Sequence, residues 1–333
     1  MEQSNVSEIQ RKLLYVFPGQ GSQYRGMGSD LVGEFESARE IFERSSNAVG
    51  YDMAALCFED ASDQLNLTQF TQPALVTHQL ACLAALQGLL GEKTATPLLT
   101  AGHSLGEYSA LVAAGALTVE DAITLVKRRG ELMGQLGEGS MLATTLDIDT
   151  AAALADKYYC GIGGCNLPEQ TVIAGPDSDL EALRLEMADV YPRKRAIPLK
   201  TEGAFHTYLM VEAARRFRAV LDEVEFNKLE TDVLSNYTGK LHDSDADSIR
   251  SRLFFQLFNP VRWFACIDTA FQQGIDCIVE LGGGIGSGEA PAEKRPNLES
   301  MIKKSFKLLG HEAEYLPAIS AEGIHAVAER LAG

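Results

Sequence analysis

Positive charge is scarce in this 333-residue chain: 29 Lys and Arg face 46 Asp and Glu, a net charge of −17. That balance excludes the broad basic face that nucleic-acid binding needs. Cysteine is sparse as well. The six (Cys57, Cys82, Cys160, Cys165, Cys266, Cys277) contain no C-x-x-C pair, so neither a redox motif nor a thiolate metal site is expected. They read as reduced, largely buried thiols in a cytoplasmic protein. No run of eighteen consecutive apolar residues occurs, and no membrane span is expected. The opening MEQSNVSEIQRK lacks the apolar stretch of a secretory signal and reads as a flexible tail, residues 1–12. Repeats and low-complexity segments are missing too. What remains is the composition of an ordinary globular protein, 46% hydrophobic and 23% charged, with length enough for an ample core. A monomer is expected.

The stretch that organises the chain is TAGHSLGEYSALVAAG, Thr100 to Gly115. An apolar run, Pro97 to Ala101, reads as a buried strand, and Glu107 to Ala114 as a helix stopped by Gly115. Between them lies Gly102-His103-Ser104-Leu105-Gly106, a G-x-S-x-G pattern. Strand, pattern and helix together describe a nucleophile elbow, a sharp turn that lifts a serine hydroxyl above the sheet. Free N–H groups at the helix start would face the same point and could stabilise an oxyanion.

Leu13 to Phe17 reads as the first strand and leads into Pro18-Gly19-Gln20-Gly21-Ser22-Gln23, a loop of small bulk. Helices are expected over Asp30–Ala48, Pro73–Leu90 and from Thr118, where Thr caps an acidic first turn. In that third helix Ala122, Leu125, Val126, Arg129 and Met133 share one stripe. An inward arginine needs an anion, either a substrate carboxylate or an internal acid. From Gly139 to Leu199 a β-α-β-(β)-α-β order, with Pro198 marking an edge strand, suggests a ferredoxin-like insert. Downstream, helices are expected over Glu212–Val224, Ile249–Phe258 and Trp263–Gln273, with short strands at Asp232–Ser235 and Cys277–Leu281. The run Gly282 to Gly288 reads as flexible, and helices over Met301–Leu309 and Gly323–Leu331 close the chain.

Serine needs a base within hydrogen-bond reach. Of six histidines, His206 stands where the chain leaves the insert, at a presumed cleft, and is the candidate. His78 reads as a packed or surface residue, His103 should point away through the turn, and His242 sits in a polar, acidic loop. No third acid stands out, so a dyad oriented by a backbone or amide group and a triad are equally open.

Four motifs, in order, resemble the malonyl-coenzyme A:acyl carrier protein transacylases and the acyltransferases of polyketide synthases. They are FPGQGSQ (Phe17–Gln23), GHSLGEYSALVAAG (Gly102–Gly115), RGELM (Arg129–Met133) and GAFH (Gly203–His206), with SNYTG (Ser235–Gly239) and QLFNPVRW (Gln256–Trp263) in support. The resemblance spans nearly the whole chain. It implies an α/β fold: an α/β-hydrolase-like large subdomain with a parallel sheet core (residues 13–137 and 204–333) and an inserted ferredoxin-like small subdomain (138–203). It also implies that Ser104 is acylated with His206 as base, and that the backbone N–H groups of Gln20 and Leu105 form the oxyanion hole. Arg129 would pair with the malonyl carboxylate, Met133 line the acyl pocket, Phe205 exclude branched acyl groups, and Gln256 orient the histidine through a carbonyl oxygen. The implied partners are malonyl-CoA as substrate and a phosphopantetheinylated acyl carrier protein, with no metal or redox cofactor. Three places depart from the family pattern: the Gly-rich run with EAPAEKRPNLES after Leu281, Gly134, and Thr207. They leave the chemistry intact and bear on carrier docking and pathway. A polyketide synthase served in trans is the first reading, and fatty-acid synthesis or hydrolysis of stalled acyl carriers are the alternatives. A non-catalytic scaffold would not need Ser104, His206 and Gln20 together.

Overall fold

The structure, a computed structural model, describes residues 11–91 and 96–332. The chain begins with β1 (Leu13–Phe17), α1 (Ser29–Glu34), α2 (Glu36–Val49), α3 (Met53–Phe58), α4 (Thr68–Leu90), β2 (Leu99–Gly102), α5 (Gly106–Ala113) and α6 (Val119–Leu136). Next come β3 (Ser140–Thr144), α7 (Ile148–Lys157), β4 (Gly161–Leu167), β5 (Gln170–Gly175), α8 (Asp177–Val190) and β6 (Ala196–Leu199). The last part runs α9 (Val211–Asp222), β7 (Asp232–Leu234), α10 (Ala246–Gln256), α11 (Trp263–Gln272), β8 (Cys277–Leu281), α12 (Glu299–Leu309), β9 (Glu314–Ala318) and α13 (Ala321–Ala332).

Two sheets result, as the α/β reading requires. The larger has the order β7-β2-β1-β8-β9, and all its pairings are parallel. Its central strands β1 and β8 are buried at every position, which is why β1 reads as an unbroken apolar run and β8 as one interrupted only by Glu280. Helices cover both faces. Tyr15 and Phe17 pack with α4 and α5 residues on one side, whereas Leu14 and Val16 meet Trp263, Ile267 and Phe271 of α11 on the other. The smaller sheet has the order β4-β5-β3-β6 and is antiparallel throughout. With α7 and α8 packed on one face, this is the ferredoxin-like arrangement.

Several local expectations change. The single helix expected over Asp30–Ala48 breaks at Phe35, whose extended backbone separates α1 from α2. α4 starts five residues before Pro73 and carries that proline inside. Its early start rests on tertiary partners: the Glu202 carboxylate accepts from the Thr68 N–H, and the Thr71 hydroxyl donates to the Leu65 carbonyl at 2.5 Å. β4 is rich in glycine yet forms a strand. Small residues are needed there, because a Cβ at Gly163 would lie 2.7 Å from Met141 Cε and 3.1 Å from the Phe205 carbonyl oxygen. β9 was not anticipated. It is short, holds Pro317 and lies at the edge of the sheet, where a missing N–H is tolerated. The run after Leu281 is tied down rather than loose: Gly283 N–H donates to His78 Nδ1 at 2.9 Å, and Gly284 N–H to the Ser22 carbonyl at 2.8 Å.

Residues 1–10 of the expected tail lie outside the described residues. Arg11 and Lys12 do not behave as tail: the Arg11 guanidinium donates to Glu314 at 2.6 Å and the Lys12 N–H to Asp276 at 3.0 Å. α4 is long and apolar enough to cross a bilayer by length and composition, yet 78% of its apolar window is buried inside the protein. It packs against α2, α6 and α13, so its all-round apolarity reflects a core helix. Leu75, fully buried in α4, should therefore matter: Leu75→Ala is expected to lower the unfolding free energy by about 2–5 kcal/mol. Denaturant unfolding followed by the fluorescence of buried Trp263 would measure the loss.

Candidate active site

The turn after β2 is shaped by steric exclusion. A Cβ at Gly102 would fall 1.8 Å from the Gly106 carbonyl carbon, and one at Gly106 would fall 2.2 Å from the Phe17 carbonyl oxygen. Only glycine permits that approach. Ser104 sits at the apex with φ of 50°, a left-handed conformation that costs an L-residue energy and persists only where the surrounding structure holds it. The Asn236 side chain clamps the turn, accepting from the Ser104 N–H at 2.5 Å and donating to the Gly102 carbonyl at 2.7 Å.

His206 comes to this apex from the other chain segment. Its Nε2 lies 2.7 Å from Ser104 Oγ, and its Nδ1 lies 2.7 Å from the backbone carbonyl of Gln256. A carbonyl only accepts, so Nδ1 carries the proton and Nε2 is left to accept the serine hydroxyl. The imidazole is buried. Burial first, and then the charge of Arg129, hold its pKa down at about 3. It is therefore neutral at physiological pH with Nε2 unprotonated, and among the described residues no side-chain carboxylate is hydrogen-bonded to it; a backbone carbonyl takes that place.

Arg129 projects from α6 into the same point and is 1% exposed. Its Nη1 donates to Gln72 Oε1 at 2.9 Å, and its Nη2 to Gln256 Oε1 at 3.1 Å and to Ser104 Oγ at 3.2 Å. Every one of these acceptors is neutral. Nε is buried without a partner, and the face of Tyr108 lies 5.7 Å from the guanidinium carbon. The internal acid that could have answered an inward arginine is not among its bonded partners. A buried cation served by neutral acceptors alone leaves room for an incoming carboxylate.

The loop after β1 closes on the elbow. A Cβ at Gly19 would lie 2.7 Å from the His103 carbonyl oxygen, and the Gln20 side chain donates to Thr68 Oγ1 at 3.2 Å. Neither the Gln20 nor the Leu105 backbone N–H has a protein partner among the described residues. Met133 and Phe205 are buried in one apolar cluster with Met141, Val172 and Met210, where the small sheet faces the larger body. His103 turns from the nucleophile, as expected, and its Nε2 lies 2.9 Å from Asn166 Oδ1 of β4.

Sequence reasoning missed the layer beneath these groups. Glu107, on the first turn of α5, is fully buried. Its Oε2 accepts from Gln256 Nε2 at 2.8 Å and from the Asn236 N–H at 3.0 Å, and its Oε1 lies 2.7 Å from His242 Nε2. The glutamate at i+3 from the nucleophile and the asparagine just past β7 were visible as letters, but nothing in their spacing joined them. His242 stands in a polar, acidic loop in the sequence; a bond from its own N–H to the Val233 carbonyl at 2.7 Å draws it inward. Among the described residues no group of three or more His, Cys, Asp or Glu is placed to hold a metal.

The acyl transferase domain family matches residues 14–282 of the chain. A malonyl CoA-acyl carrier protein transacylase of Bacillus subtilis (strain 168) is 38% identical over 282 residues, 82% of this chain and 87% of that one. The crystal structure of a malonyl CoA-acyl carrier protein transacylase from Clostridium perfringens superposes with a TM-score of 0.85 at 32% identity, covering 96% of this chain and 97% of the other. A solved complex of a type II PKS acyl-carrier protein with its malonyl-transacylase matches with a TM-score of 0.83 at 31% identity, over 96% of this chain and 99% of that one.

The depressed pKa of His206 has a kinetic consequence. The charged form is disfavoured in the folded free protein, so the imidazole stays neutral well below the ordinary histidine range. Labelling of Ser104 by a fluorophosphonate, measured in rate between pH 5 and 8, is expected to show no inflection near 6.5, the unperturbed value. An inflection there that His206→Ala removed would contradict this state of the base.

Proposed function

We infer that this chain, which belongs to the acyl transferase domain family, moves a malonyl group from malonyl-CoA to the phosphopantetheine thiol of an acyl carrier protein through an acyl-serine. One observation carries the reading. Ser104 Oγ lies within hydrogen-bond reach of both a neutral imidazole and a buried guanidinium that has no acid bound to it. The first supplies a nucleophile, and the second supplies a reason for a carboxylate-bearing acyl group.

The reaction runs in two symmetric halves. Ser104 Oγ attacks the thioester carbonyl while His206 Nε2 takes the hydroxyl proton. The Gln20 and Leu105 N–H groups stabilise the oxyanion. Collapse breaks the carbon–sulfur bond, and His206 returns the proton to the departing coenzyme A sulfur. The malonyl ester remains on Ser104 with its carboxylate against Arg129. A carrier-bound thiol then gives its proton to His206 and attacks the ester, and serine leaves with that proton. Protein groups and the thioester suffice for these steps, and no cofactor is drawn upon. Met133 and Phe205 wall the acyl group, Phe205 limiting its breadth.

The same site could pass malonyl to a fatty-acid or a polyketide carrier, since both offer one thiol on one prosthetic arm. We favour a polyketide synthase served in trans, a reading supported by the type II carrier complex of the same fold. Coenzyme A thioesters and six unpaired cysteines suit the cytoplasm. A hydrolase that strips neutral acyl chains from stalled carriers would gain nothing from Arg129.

Intact mass after brief exposure to malonyl-CoA should show a malonyl adduct that moves to an added holo carrier protein. Ser104→Ala should form none. Arg129→Ala should lose about a hundredfold in malonyl acylation, as expected for removing a buried charge partner, with little change for acetyl-CoA. An adduct that decays to free malonate in the presence of holo carrier would replace transfer with hydrolysis, and retained malonyl preference in Arg129→Ala would remove the carboxylate anchor.

A further inference from the structure

Gln256 occupies the centre of the site with both ends of its side chain engaged. Its Oε1 faces Arg129 Nη2 at 3.1 Å. Its Nε2 faces the Ser104 carbonyl at 3.0 Å and Glu107 Oε2 at 2.8 Å. Its backbone carbonyl faces His206 Nδ1 at 2.7 Å. One residue thus touches the nucleophile, the base and the cation. The amide orientation follows from chemistry, because a guanidinium only donates and a carbonyl only accepts. A reversed amide would set NH2 against NH2 at Arg129 and oxygen against two oxygens at the other end.

Of the two acceptors that hold Nε2, the neutral Ser104 carbonyl belongs to a strained turn, and only Glu107 offers a carboxylate. Charge-assisted bonds are about twice as strong as neutral ones. Glu107 is itself fixed from three sides, by the Asn236 N–H, Gln256 Nε2 and His242. Both Glu107 and His242 side chains are fully enclosed, so solvent does not compete for these bonds. The carboxylate does not reach Arg129 directly. It acts one amide away, so the guanidinium has no carboxylate among its hydrogen-bond partners.

We propose that Glu107 is the positioning residue of this site: it fixes the Gln256 amide so that its oxygen faces Arg129 and holds the guanidinium ready for the malonyl carboxylate. This rests on the malonyl-transfer reading, which it deepens by assigning acyl selectivity to a residue that touches no substrate. Glu107→Gln is the direct variant. Three donors aim at position 107, and an amide accepts on one atom only, so Gln256 loses its charged acceptor whichever way the new side chain turns.

The experiment compares acylation of Ser104 by malonyl-CoA and by acetyl-CoA under single-turnover conditions, in wild type, Glu107→Gln, Arg129→Ala and the double variant. The malonyl-over-acetyl ratio is expected to fall about tenfold in Glu107→Gln, the scale of one charged hydrogen bond. The acetyl rate should stay within about threefold of wild type. In the Arg129→Ala background the same change should leave the ratio where Arg129→Ala put it. An equal loss for both acyl donors would mean that Glu107 merely supports the turn, and an unchanged ratio would mean that it does not act through Arg129; either result overturns the proposal. If Glu107→Gln does not fold, Gln256→Met removes the amide while keeping the backbone carbonyl on His206, and it should give the same selective fall; wild-type selectivity there overturns the proposal too. Should the wild type take no acyl group from either donor, the transfer reading fails by itself. Positioning is then judged from the Arg129 guanidinium proton resonances, expected to be resolved in wild type and averaged in Glu107→Gln; resonances unchanged by the substitution would overturn it.

Discussion

A positive charge buried with no carboxylate bonded to it among the described residues sets the terms for this structure. Desolvating a guanidinium costs several kcal/mol unless its donors are met. Here Nε has no hydrogen-bond partner among the described residues, and the two terminal nitrogens are met by the neutral oxygens of Gln72, Gln256 and Ser104. Each comes from a different stretch of chain, so α4, α10 and the elbow must all be in place before Arg129 can be enclosed. The side chain is held in a condition that a carboxylate-bearing substrate would improve, and that is the physical basis for acyl preference in the proposed reaction.

The same cation acts on the base. Its field adds to burial in keeping His206 uncharged, and an uncharged imidazole can accept the serine proton. A carboxylate oriented on Nδ1 would favour the imidazolium; a carbonyl orients the ring with a smaller bias. The dyad with a backbone orienter is therefore consistent with the arginine next to it. An acid is present nearby, but it is spent one layer down, where Glu107 meets His242, Asn236 and Gln256. Removing the acid from the first layer and placing it beneath an amide keeps both the base and the anchor free.

The glycines at the elbow show how little tolerance the architecture has. The strand, the turn and the first helical turn approach so closely that a methyl group at Gly102 would overlap backbone carbon. The small sheet adds a second constraint. A Cβ at its Gly163 would press on Met141 and on the Phe205 carbonyl, and its Asn166 reaches His103. The apolar cluster around Met133, Met141 and Phe205 joins the small sheet to α6, so the wall proposed for the acyl group exists only where both are assembled.

Much of this was legible in the sequence because it is local or periodic. The elbow needs glycines at fixed offsets from Ser104, the parallel strands need continuous apolar runs, and the stripe of α6 places Arg129 inward by helical geometry alone. The place of His206, where the chain leaves the insert, then singled it out as the candidate base. What could not be read was whatever depended on contacts between distant segments. The start of α4 was set by Glu202 and the strand character of the glycine-rich Gly161–Leu167 by its sheet neighbours. The tethering of Gly283 was set by His78, and the pairing of Glu107 with His242 joins residues 135 apart in the chain. Sequence by itself determined the local turns and the side of each helix on which the candidate groups stand, since these are fixed by short-range sterics; the tertiary structure alone decided what each is bonded to, because hydrogen-bond partners across a core follow from packing and not from spacing.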